Sequence, residues 1–539
     1  MKKCIATLIA TVLFVLIACY LFLPATTIHS AGFLCLIMLS ALVALGIFSM
    51  GAYADDTDYE TPTVVMRFIL GGTSVLALVL MIIFGLSGSA LFRASALSQI
   101  ANPQTVEFTD VITESEDISD IALMDTVTAR HFGERTLGEL SDLVSVYDVD
   151  EQYTTICYHG RPMKIAALKY DGFFKYNSNK VNGIPGYVLV DPVNNTAEYV
   201  AAKSPIYYAP SAYFSKDLSR HLWSYNSSYI YGNSFFEIDE EDNCYWITPV
   251  YQPTVGLYNG KVVSKVVVTD ATTGACTEYK MGEIPEWIDI VIDGDTISKY
   301  YNWYGELRNG FWNSVTAQNG CYKTTDDFGY KIIDNDVYIY TGVTSCNNSA
   351  SATGFILANS RTGEMKFFSI NGAEEHSAMS AAEGEVSDYG WIASFPSVIN
   401  VNGEPVYLMV LKDSNNIVKR YAMVNYKSYN VVAIDTTQKK CLARYNALLN
   451  GEDVDAATAV ADVETEVAIP TDLQYKTITV STVQFIVNNG NTTVYIEDIN
   501  GDFYKSKFDE TWIMTKEGDT VTVGYTTSSE ITTVYEVTK

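Results

Sequence analysis

Three apolar stretches near the N-terminus decide the fold of this chain: CIATLIATVLFVLIACYLFL at residues 4–23, AGFLCLIMLSALVALGIFSMGAY at 31–53 and FILGGTSVLALVLMIIFGLSGSALF at 68–92. Each stretch has about 20 residues or more with almost no charge, which is the length that a helix needs to cross the hydrocarbon core of a bilayer. The sequence therefore predicts a three-span membrane anchor in residues 1–93, and no comparable stretch follows residue 100.

The basic residues around the spans predict their orientation. Lys2 and Lys3 precede the first span and Arg67 lies at the start of the third, whereas the opposite side has only Arg93 near a membrane face. Under the positive-inside rule the N-terminus lies in the cytoplasm and residues 93–539 lie outside. As an alternative, the first span is a cleaved signal peptide. Two spans would then remain, and the large region would still be extracytoplasmic.

The composition of the spans predicts close packing of the helices and gives no sign of a transport function. Its third span contains Gly71, Gly72, Gly85 and Gly88, and small residues let helices approach closely, within one chain or in an oligomer. The spans contain no Asp, Glu or His that could carry protons or bind ions, so we do not expect a transporter.

The charge of the outer region limits its partners. Residues 100–539 contain 31 basic and 59 acidic residues, so they carry the whole net charge of −28. This charge repels phosphate backbones and anionic lipid, and we expect no nucleic-acid partner. Because the acidic residues are scattered, they are typical of a solvated surface.

Six cysteines lie in the outer region: Cys157, Cys244, Cys276, Cys321, Cys346 and Cys441. An even number permits up to three disulfides in an oxidising compartment, and the sequence does not decide whether they form. No C-x-x-C motif is present, which disfavours a zinc ribbon or a thioredoxin-type site.

After Tyr153 the outer region is rich in Tyr, Val, Thr and Ile, which favour β-sheet. One pattern recurs four times, as an apolar strand, an Asp or Asn, a turn and a second strand. It covers Gly186–Val200, Val266–Lys280, Gly354–Ile370 and Tyr421–Ile434. The turn residues are Asp191, Asp270, Asn359 and Asn425. Since Asp and Asn side chains bond to the backbone that follows them, each unit predicts a β-hairpin.

Helices are predicted between and around these hairpins. Glu283–Val291 and Ala373–Glu385 follow the second and third hairpins and are expected to pack on the preceding sheet. The periodicity of 117–146 predicts two helices separated at Gly133, with Thr136 capping the second. A further helix is predicted over Asp435–Asn450, with Asp435 or Thr436 as its cap.

The hairpin-plus-helix pattern resembles PepSY-like and cystatin-like α+β modules, and VVVTDATTGACTEY is similar to the strand-turn-strand of a PepSY unit. A wider set of stretches resembles uncharacterised multi-pass membrane proteins of Gram-positive bacteria, some labelled CvpA-like. These stretches are Asp125–Leu140, Gly183–Asp191, Arg220–Leu222, Tyr340–Ser345 and Met409–Lys412. This second resemblance implies a membrane location and brings no catalytic residues.

The C-terminal part predicts a separate small domain. Five alternating runs cover Thr477–Val487, Thr493–Asp498, Phe503–Lys507, Thr520–Tyr525 and Ile531–Val537. Five short strands in about 60 residues are typical of a small barrel of the OB or SH3-like type. The predicted organisation is thus an anchor (1–93), a connector with a helical segment (94–152), a β-rich α+β region (153–450), an acidic linker (451–470) and a five-stranded barrel (471–539).

Motifs for chemistry are few. The outer region contains no H-E-x-x-H, G-x-S-x-G or phosphate-binding loop, so the sequence predicts no catalytic residue and no cofactor. Asp293, Asp295, Asp326 and Asp327 are candidate calcium ligands. The aromatic run Tyr300, Tyr301, Trp303 and Tyr304 is either a binding surface or a core strand.

Two functions therefore remain open. We expect a membrane-tethered, extracytoplasmic binding or scaffolding protein of the cell envelope, with a protein or a cell-wall glycan as its partner. The alternative is a cell-envelope hydrolase or transferase that uses a pair of carboxylates far apart in the sequence.

Overall fold

The structure is a computed structural model that describes residues 2–54, 60–114, 118, 121–451, 474–488, 491–507, 510–513, 515–516, 518–526 and 532–538. The chain divides into two compact units, residues 1–457 and 458–539. Nearly all of the predicted acidic linker 451–470 lies outside the described residues.

Three helices begin the first unit: α1 (Lys2–Phe22), α2 (Ala31–Ala54) and α3 (Thr61–Ser87). Within the described residues these three are long and apolar enough to cross a membrane, which confirms the predicted helices of the anchor. Helix α2 packs against both neighbours. Gly71 and Ser74 of α3 face α2, where the Ser74 hydroxyl donates to the carbonyl of Met38 at 3.4 Å. A Cβ at Gly72 or Gly85 would meet no described atom within 4 Å.

The chain then passes through α4 (Ala90–Ser98), strand β1 (Gln104–Thr105) and a short 3-10 turn (Phe108–Asp110), and builds four sheets in sequence. Each sheet with its preceding helix or helices is here called a repeat. Repeat 1 contains α5 (Thr126–Gly138), α6 (Ser141–Val144), β2 (Tyr147–Val149), β3 (Thr154–Tyr158), β4 (Arg161–Tyr170), α7 (Phe173–Asn179), β5 (Ile184–Asp191) and β6 (Thr196–Ile206). Repeat 2 contains a 3-10 turn (Phe214–Lys216), α8 (Leu218–Tyr225), β7 (Ile230–Tyr231), β8 (Phe235–Ile238), β9 (Cys244–Val255), β10 (Asn259–Asp270) and β11 (Cys276–Lys280).

Repeats 3 and 4 complete the first unit. Repeat 3 contains α9 (Gly294–Leu307), α10 (Phe311–Val315), β12 (Tyr322–Thr324), β13 (Gly329–Ile333), β14 (Asp336–Ser345), β15 (Asn348–Asn359) and β16 (Met365–Phe368), and β1 and β17 (Gly372–Ala373) join its sheet. Repeat 4 contains α11 (Glu375–Glu385), a 3-10 turn (Ser387–Tyr389), β18 (Ile392–Ala393), β19 (Ser397–Val401), β20 (Glu404–Lys412), β21 (Val418–Asn425), β22 (Val432–Asp435) and the closing helix α12 (Gln438–Asn450).

All four sheets share one plan. The first long strand (β4, β9, β14 or β20) pairs with a short strand at one end, with a hairpin partner at the other, and along its length with the second long strand. The second long strand then enters the hairpin that the sequence predicted. The structure thus contains a fourfold repeat of which the sequence revealed only the last two strands of each copy.

The hairpin turns confirm the prediction from Asp and Asn. In each turn the side-chain oxygen of Asp191, Asp270, Asn359 or Asn425 accepts from the backbone N–H groups two and three residues later, at 2.8–3.0 Å. An Asp or Asn at the same position therefore stabilises the hairpin turn of every repeat, because its side-chain oxygen accepts the hydrogen bonds that the turn backbone donates.

The sheets stack on one another through their faces. In repeat 2, Phe236 and Val267 pack toward repeat 1, whereas Phe235, Val266 and Val268 pack toward repeat 3. Successive side chains of a strand point to opposite faces, so a sheet buried on both sides needs an unbroken apolar run. The run VVV at 266–268 meets that need. Repeats 3 and 4 share a further core.

Three helix predictions are wrong in whole or in part. Glu283–Val291 is not helical, and the helix begins at Gly294, where the Asp293 side chain accepts from the N–H of Thr296 at 2.8 Å. Pro285 lies in the predicted segment, and the N–H groups of Asp289 and Ile290 are used instead to bind the carboxylate of Glu237. The prediction over Ala373–Glu385 is confirmed as α11, which Glu374 caps.

Gly133 does not separate two helices, and Thr136 does not cap one. Helix α5 continues through Gly133. A Cβ at this position would lie 1.9 Å from the hydroxyl oxygen of Tyr153, so only glycine fits here without a shift. The glycine therefore permits close packing. Asp125 caps α5 and Thr437, rather than Asp435 or Thr436, caps α12.

The second unit is a closed barrel of β23 (Gln474–Asn488), β24 (Asn491–Asp498), β25 (Phe503–Lys507), β26 (Thr520–Thr526) and β27 (Thr532–Thr538), with the short helix α13 (Glu510–Ile513) after the third strand. Its core includes Trp512, Val494 and Val523, all fully buried. The five-stranded barrel that the sequence predicted is confirmed in its number of strands among the described residues.

Candidate functional site

A cavity of about 810 Å³ lies in the first unit, between repeats 1, 3 and 4. Its walls come from the hairpins that open these repeats (β3–β4, β13 and β19) and from the connector at 111–113 and 121–127. Strands β3, β13 and β19 each pair on one side only among the described strands, so they are edges of their sheets. The cavity therefore forms where stacked sheets end. Its volume suits a small organic ligand or a short peptide.

Lys164 of β4 lies in the wall of this cavity and is 6% exposed. Its Nζ donates to the Thr155 hydroxyl at 3.0 Å and lies 5.7 Å from the ring centre of Tyr330. Within the described residues no carboxylate lies within 4.0 Å of Nζ. Burial lowers the pKa of Lys164 to about 8, because the charged form loses its hydration.

Lys331 of β13 is the second ammonium group in the wall. Its Nζ donates to the carbonyl of Val398 at 3.1 Å, and burial lowers the pKa of Lys331 to about 8. This residue also has no described carboxylate within ion-pair distance. Two strands from different repeats thus direct partly desolvated cations to one cavity.

A third lysine nearby is neutralised by a carboxylate. The buried Lys412 donates to the Asp125 carboxylate and, at 3.1 Å, to the hydroxyl of Thr128. Burial acts to raise the pKa of Asp125, but the hydrogen bond and charge of Lys412 lower it below its usual value. This pair joins the start of α5 to β20 and fixes the connector in the wall. The Asp125 charge also stabilises the Lys164 ammonium, but neither Lys164 nor Lys331 forms an ion pair within 4.0 Å among the described residues.

The remaining wall combines apolar and aromatic side chains with the acidic residues Asp327 and Asp334. Phe328, Tyr330, Phe395, Ile399 and Met379 line it. A cavity with apolar walls and a few convergent polar groups is typical of a binding site. Chemically, this one suits a ligand that has an acidic group and an apolar or sugar-like body.

The calcium candidates are partly brought together. Asp293 is occupied as the cap of α9, and Asp327 lies in the wall of the cavity. Burial and the nearby charges of Asp293 and Asp327 raise the pKa of Asp295. Across the part of the chain that the structure describes, no group of three or more His, Cys, Asp or Glu residues is arranged to hold a metal ion. The structure therefore gives the calcium hypothesis, including Asp326, no support.

The aromatic run 300–304 forms part of α9, not a strand. Tyr300 and Tyr301 are in the core, where the Tyr300 hydroxyl accepts from the N–H of Val263 at 3.0 Å. Trp303 and Tyr304 are half-buried. The four side chains therefore do not form one exposed face, because a helix distributes neighbours around its axis.

Glu237 and Asp289 are two neighbouring buried acids, and neither lines the cavity. Glu237 is fully buried and accepts from the N–H groups of Asp289 and Ile290, and Asp289 accepts from the N–H of Cys157 at 2.7 Å. Burial raises the pKa of both acids. These hydrogen bonds connect repeats 1 and 2 to the segment that precedes α9, which indicates a structural role.

The cysteines remain thiols. All nine lie in the described residues and none forms a disulfide there. Cys321 and Cys346 are neighbours across the sheet of repeat 3, with the N–H of Cys346 bonded to the carbonyl of Cys321 at 3.1 Å.

Sequence reasoning missed Lys164 and Lys331. A signal was present for the first, since Lys164 interrupts the apolar run of strand β4 (RPMKIAALKY), where a charged residue has no solvent-facing side.

No protein-family model matches the chain, and no curated protein sequence matches it. The PepSY-like and CvpA-like resemblances therefore stay predictions.

Proposed function

We propose that this protein is a membrane-tethered binding protein of the cell envelope, and that its ligand occupies the cavity between repeats 1, 3 and 4. The observation that carries the proposal is the pair Lys164 and Lys331, two buried ammonium groups in one cavity that form no ion pair within 4.0 Å among the described residues. Burying an unpaired ammonium group costs free energy, and a ligand anion would offset that cost.

The proposed ligand class is an acidic molecule of the envelope, such as a peptidoglycan fragment or a short acidic peptide. Peptidoglycan fragments combine carboxylates with a sugar and aliphatic body, which matches the mixed wall of the cavity. This proposed ligand class is more specific than the protein or cell-wall glycan partner that the sequence predicted.

The test uses the full chain in lipid nanodiscs, titrated with soluble peptidoglycan fragments and with short acidic peptides. Lys164→Met and Lys331→Met should each weaken binding at least tenfold, because a charge-assisted hydrogen bond to a desolvated ligand is worth about 1.5–3 kcal/mol. Lys203→Met is the control, since Lys203 is 55% exposed and lies outside the cavity wall. If all three variants bind the ligand as tightly as the unmodified protein does, the proposal is contradicted. Conversion of a ligand to product would instead favour the hydrolase or transferase alternative.

We further propose that the region after α3 lies on the extracytoplasmic side, as the positions of Lys2, Lys3 and Arg67 indicate. A variant with serine at Cys4, Cys19 and Cys35 keeps only the six outer cysteines. A membrane-impermeant thiol reagent should then label intact cells after mild reduction. Labelling that occurs only after lysis would place this region in the cytoplasm.

For the second unit we propose an OB-type barrel that recognises a sugar or a protein. The strand order supports this type over an SH3-like barrel, because the third strand β25 pairs in parallel with the fifth strand β27 while all other pairs are antiparallel. The helix-plus-meander plan of the four repeats likewise supports a distant PepSY-like relationship.

A further inference from the structure

The region after α3 is held against the ends of the membrane helices by the turn between β9 and β10. Asn259 donates through its side-chain amide to the carbonyl of Gly85 at 3.1 Å, and the ring of Tyr258 lies 5.9 Å from that of Phe84. The His29 ring nitrogen Nδ1 lies 3.2 Å from the carbonyl oxygen of Leu257. This turn therefore lies at the same level as the last turn of α3.

Helix α8 makes a second set of contacts, with the end of α1. The Trp223 indole N–H donates to the carbonyl of Pro24 at 2.9 Å. The Arg220 guanidinium carbon lies 4.5 Å from the centre of the Tyr20 ring. Helix α8 and the β9–β10 turn therefore form the side of the repeats that contacts the C-terminal ends of α1 and α3.

An exposed aromatic and basic patch lies next to α8. It is built from α7 and the 3-10 turn that precedes α8, and Phe174 in it is 82% exposed. Its apolar members are Phe173, Phe174, Val181 and Phe214. The rings of Phe173 and Phe214 are 6.1 Å apart, so the two elements form one surface.

The local charge of this patch is opposite to that of the whole chain. The segments 171–181 and 213–220 contain the basic residues Lys175, Lys180, Lys216 and Arg220 and the acidic residues Asp171 and Asp217. Neither Lys175 nor Lys180 forms an ion pair with a described carboxylate. The net charge of −28 therefore does not describe this surface.

A second exposed apolar patch directly follows the third membrane helix. Helix α4 begins at Ala90, three residues after the end of α3, and exposes Leu91 and Phe92. Helix α10 packs against α4 and exposes Trp312, at 70%, and Val315. The chain thus continues from a membrane helix into an apolar surface.

We propose that both patches lie in the headgroup region of the bilayer, so that repeats 1 and 3 rest on the membrane surface beside the anchor. Aromatic side chains flanked by basic ones are enriched at this level of a membrane, and lysine side chains near it are attracted by anionic lipid. The occupant of these patches is thus lipid. Their continuity with the ends of α1 and α3 argues for that choice over a protein partner.

The experiment uses the full chain in nanodiscs made with lipids that are brominated on the acyl chain near the headgroup. Trp312 should be quenched in the unmodified protein, and Trp312→Phe should remove that quenched component. Phe174→Trp should add a quenched component about twofold larger than that added by Tyr429→Trp, since interfacial side chains lie within roughly 5–10 Å of the acyl boundary. Tyr429 is the control, because it is 55% exposed and lies in the hairpin turn between β21 and β22, outside both patches.

A bilayer that contains anionic phosphatidylglycerol should increase the quenching of Phe174→Trp relative to a zwitterionic bilayer, and Lys175→Glu with Lys180→Glu should abolish the increase. Equal quenching at positions 174, 312 and 429 would overturn the proposal and leave the patches facing water or a protein. Loss of ligand binding in the cavity would not affect this readout, so the two proposals can fail separately.

Discussion

Glu375 is a carboxylic acid enclosed in the protein interior. It is 1% exposed at the start of α11, and the N–H of Gly342 donates to its carboxylate. Gly342 permits this approach, because a Cβ there would lie 2.5 Å from the carboxylate. Burial raises the pKa of Glu375 to about 7. A residue of this kind makes the stability of the fold depend on pH.

The sign of that dependence follows from proton linkage. The unfolded chain releases the Glu375 proton near its ordinary pKa of 4.5, whereas the folded chain keeps it up to about 7. The free energy of unfolding therefore falls as pH rises from 4.5 toward 7, by an amount on the order of 3 kcal/mol. Glu375→Gln should remove the part of this fall that Glu375 causes, leaving that of Glu237 and Asp289, and should raise the melting temperature at pH 8. Melting curves between pH 4.5 and 8 test this. Exposed Glu364→Gln should leave the profile unchanged; a Glu375→Gln profile that is parallel to that of the unmodified protein would contradict the expectation.

Gly133 and Tyr153 give a second test at single residues. The Tyr153 hydroxyl is buried without a hydrogen-bond partner among the described residues, and it lies where a Cβ at position 133 would be. Gly133→Ala should therefore destabilise the first unit by about 1–3 kcal/mol. In a Tyr153→Phe background the same change should cost much less, because the clashing oxygen is absent.

Gly138→Ala is the matched control for this cycle. It lies at the end of the same helix, where a new Cβ meets no described atom within 4 Å. It should stabilise α5 by up to about 1 kcal/mol. Equal effects of the Gly133 change with and without the Tyr153 hydroxyl, measured by chemical denaturation, would exclude this contact as the reason for the glycine.

At the scale of elements, the attachment of α5 to repeat 4 depends on one ion pair. Lys412→Met would leave the Asp125 carboxylate largely buried and without its cation, at a cost of about 3 kcal/mol. The double variant Lys412→Met with Asp125→Asn should lose less, because asparagine also caps helices well. A double-mutant cycle from denaturation curves measures the difference. Additive losses would mean that the two side chains do not interact.

The sequence predicted those elements whose signal is local. All four hairpins followed from an apolar run and one Asp or Asn, since the turn is satisfied within three residues of Asp191, Asp270, Asn359 or Asn425. The short strands β2, β7, β12 and β18 were not predicted. Each has two or three residues and is defined by pairing with a strand up to about 20 positions away, which no local pattern reveals.

The cavity could not be predicted for the same reason. Lys164, Lys331 and Asp125 come from repeat 1, repeat 3 and the end of the connector, and only the stacking of sheets brings them to one wall. The aromatic run at 300–304 was predicted to be either a binding surface or a core strand. It is part of a helix instead, and two of its rings lie in the core.

At the scale of the whole molecule, the two compact units differ in how they are stabilised. The first unit has continuous cores that join successive repeats, so its repeats should unfold together. The second unit has its own core around Trp512.

Residues 471–539 expressed alone should therefore melt cooperatively with a β-type circular dichroism spectrum. Trp512→Ala should abolish that transition, because removal of a fully buried tryptophan costs about 3–5 kcal/mol, a large part of what a small barrel has. An unstructured fragment in the absence of any substitution would show that the barrel requires the rest of the chain.

The turn between β9 and β10, which contacts the end of α3, also limits the movement of the cavity relative to the three N-terminal helices. A domain on a flexible linker of twenty residues would sample a shell roughly 25 Å deep. Here two residues, Gly88 and Ser89, separate α3 from α4, and the turn contacts α3 directly. In a membrane, these contacts would confine the cavity to one height above the bilayer, and it would move only laterally with the anchor. Under the proposed function, a ligand would therefore be captured only where it reaches that plane.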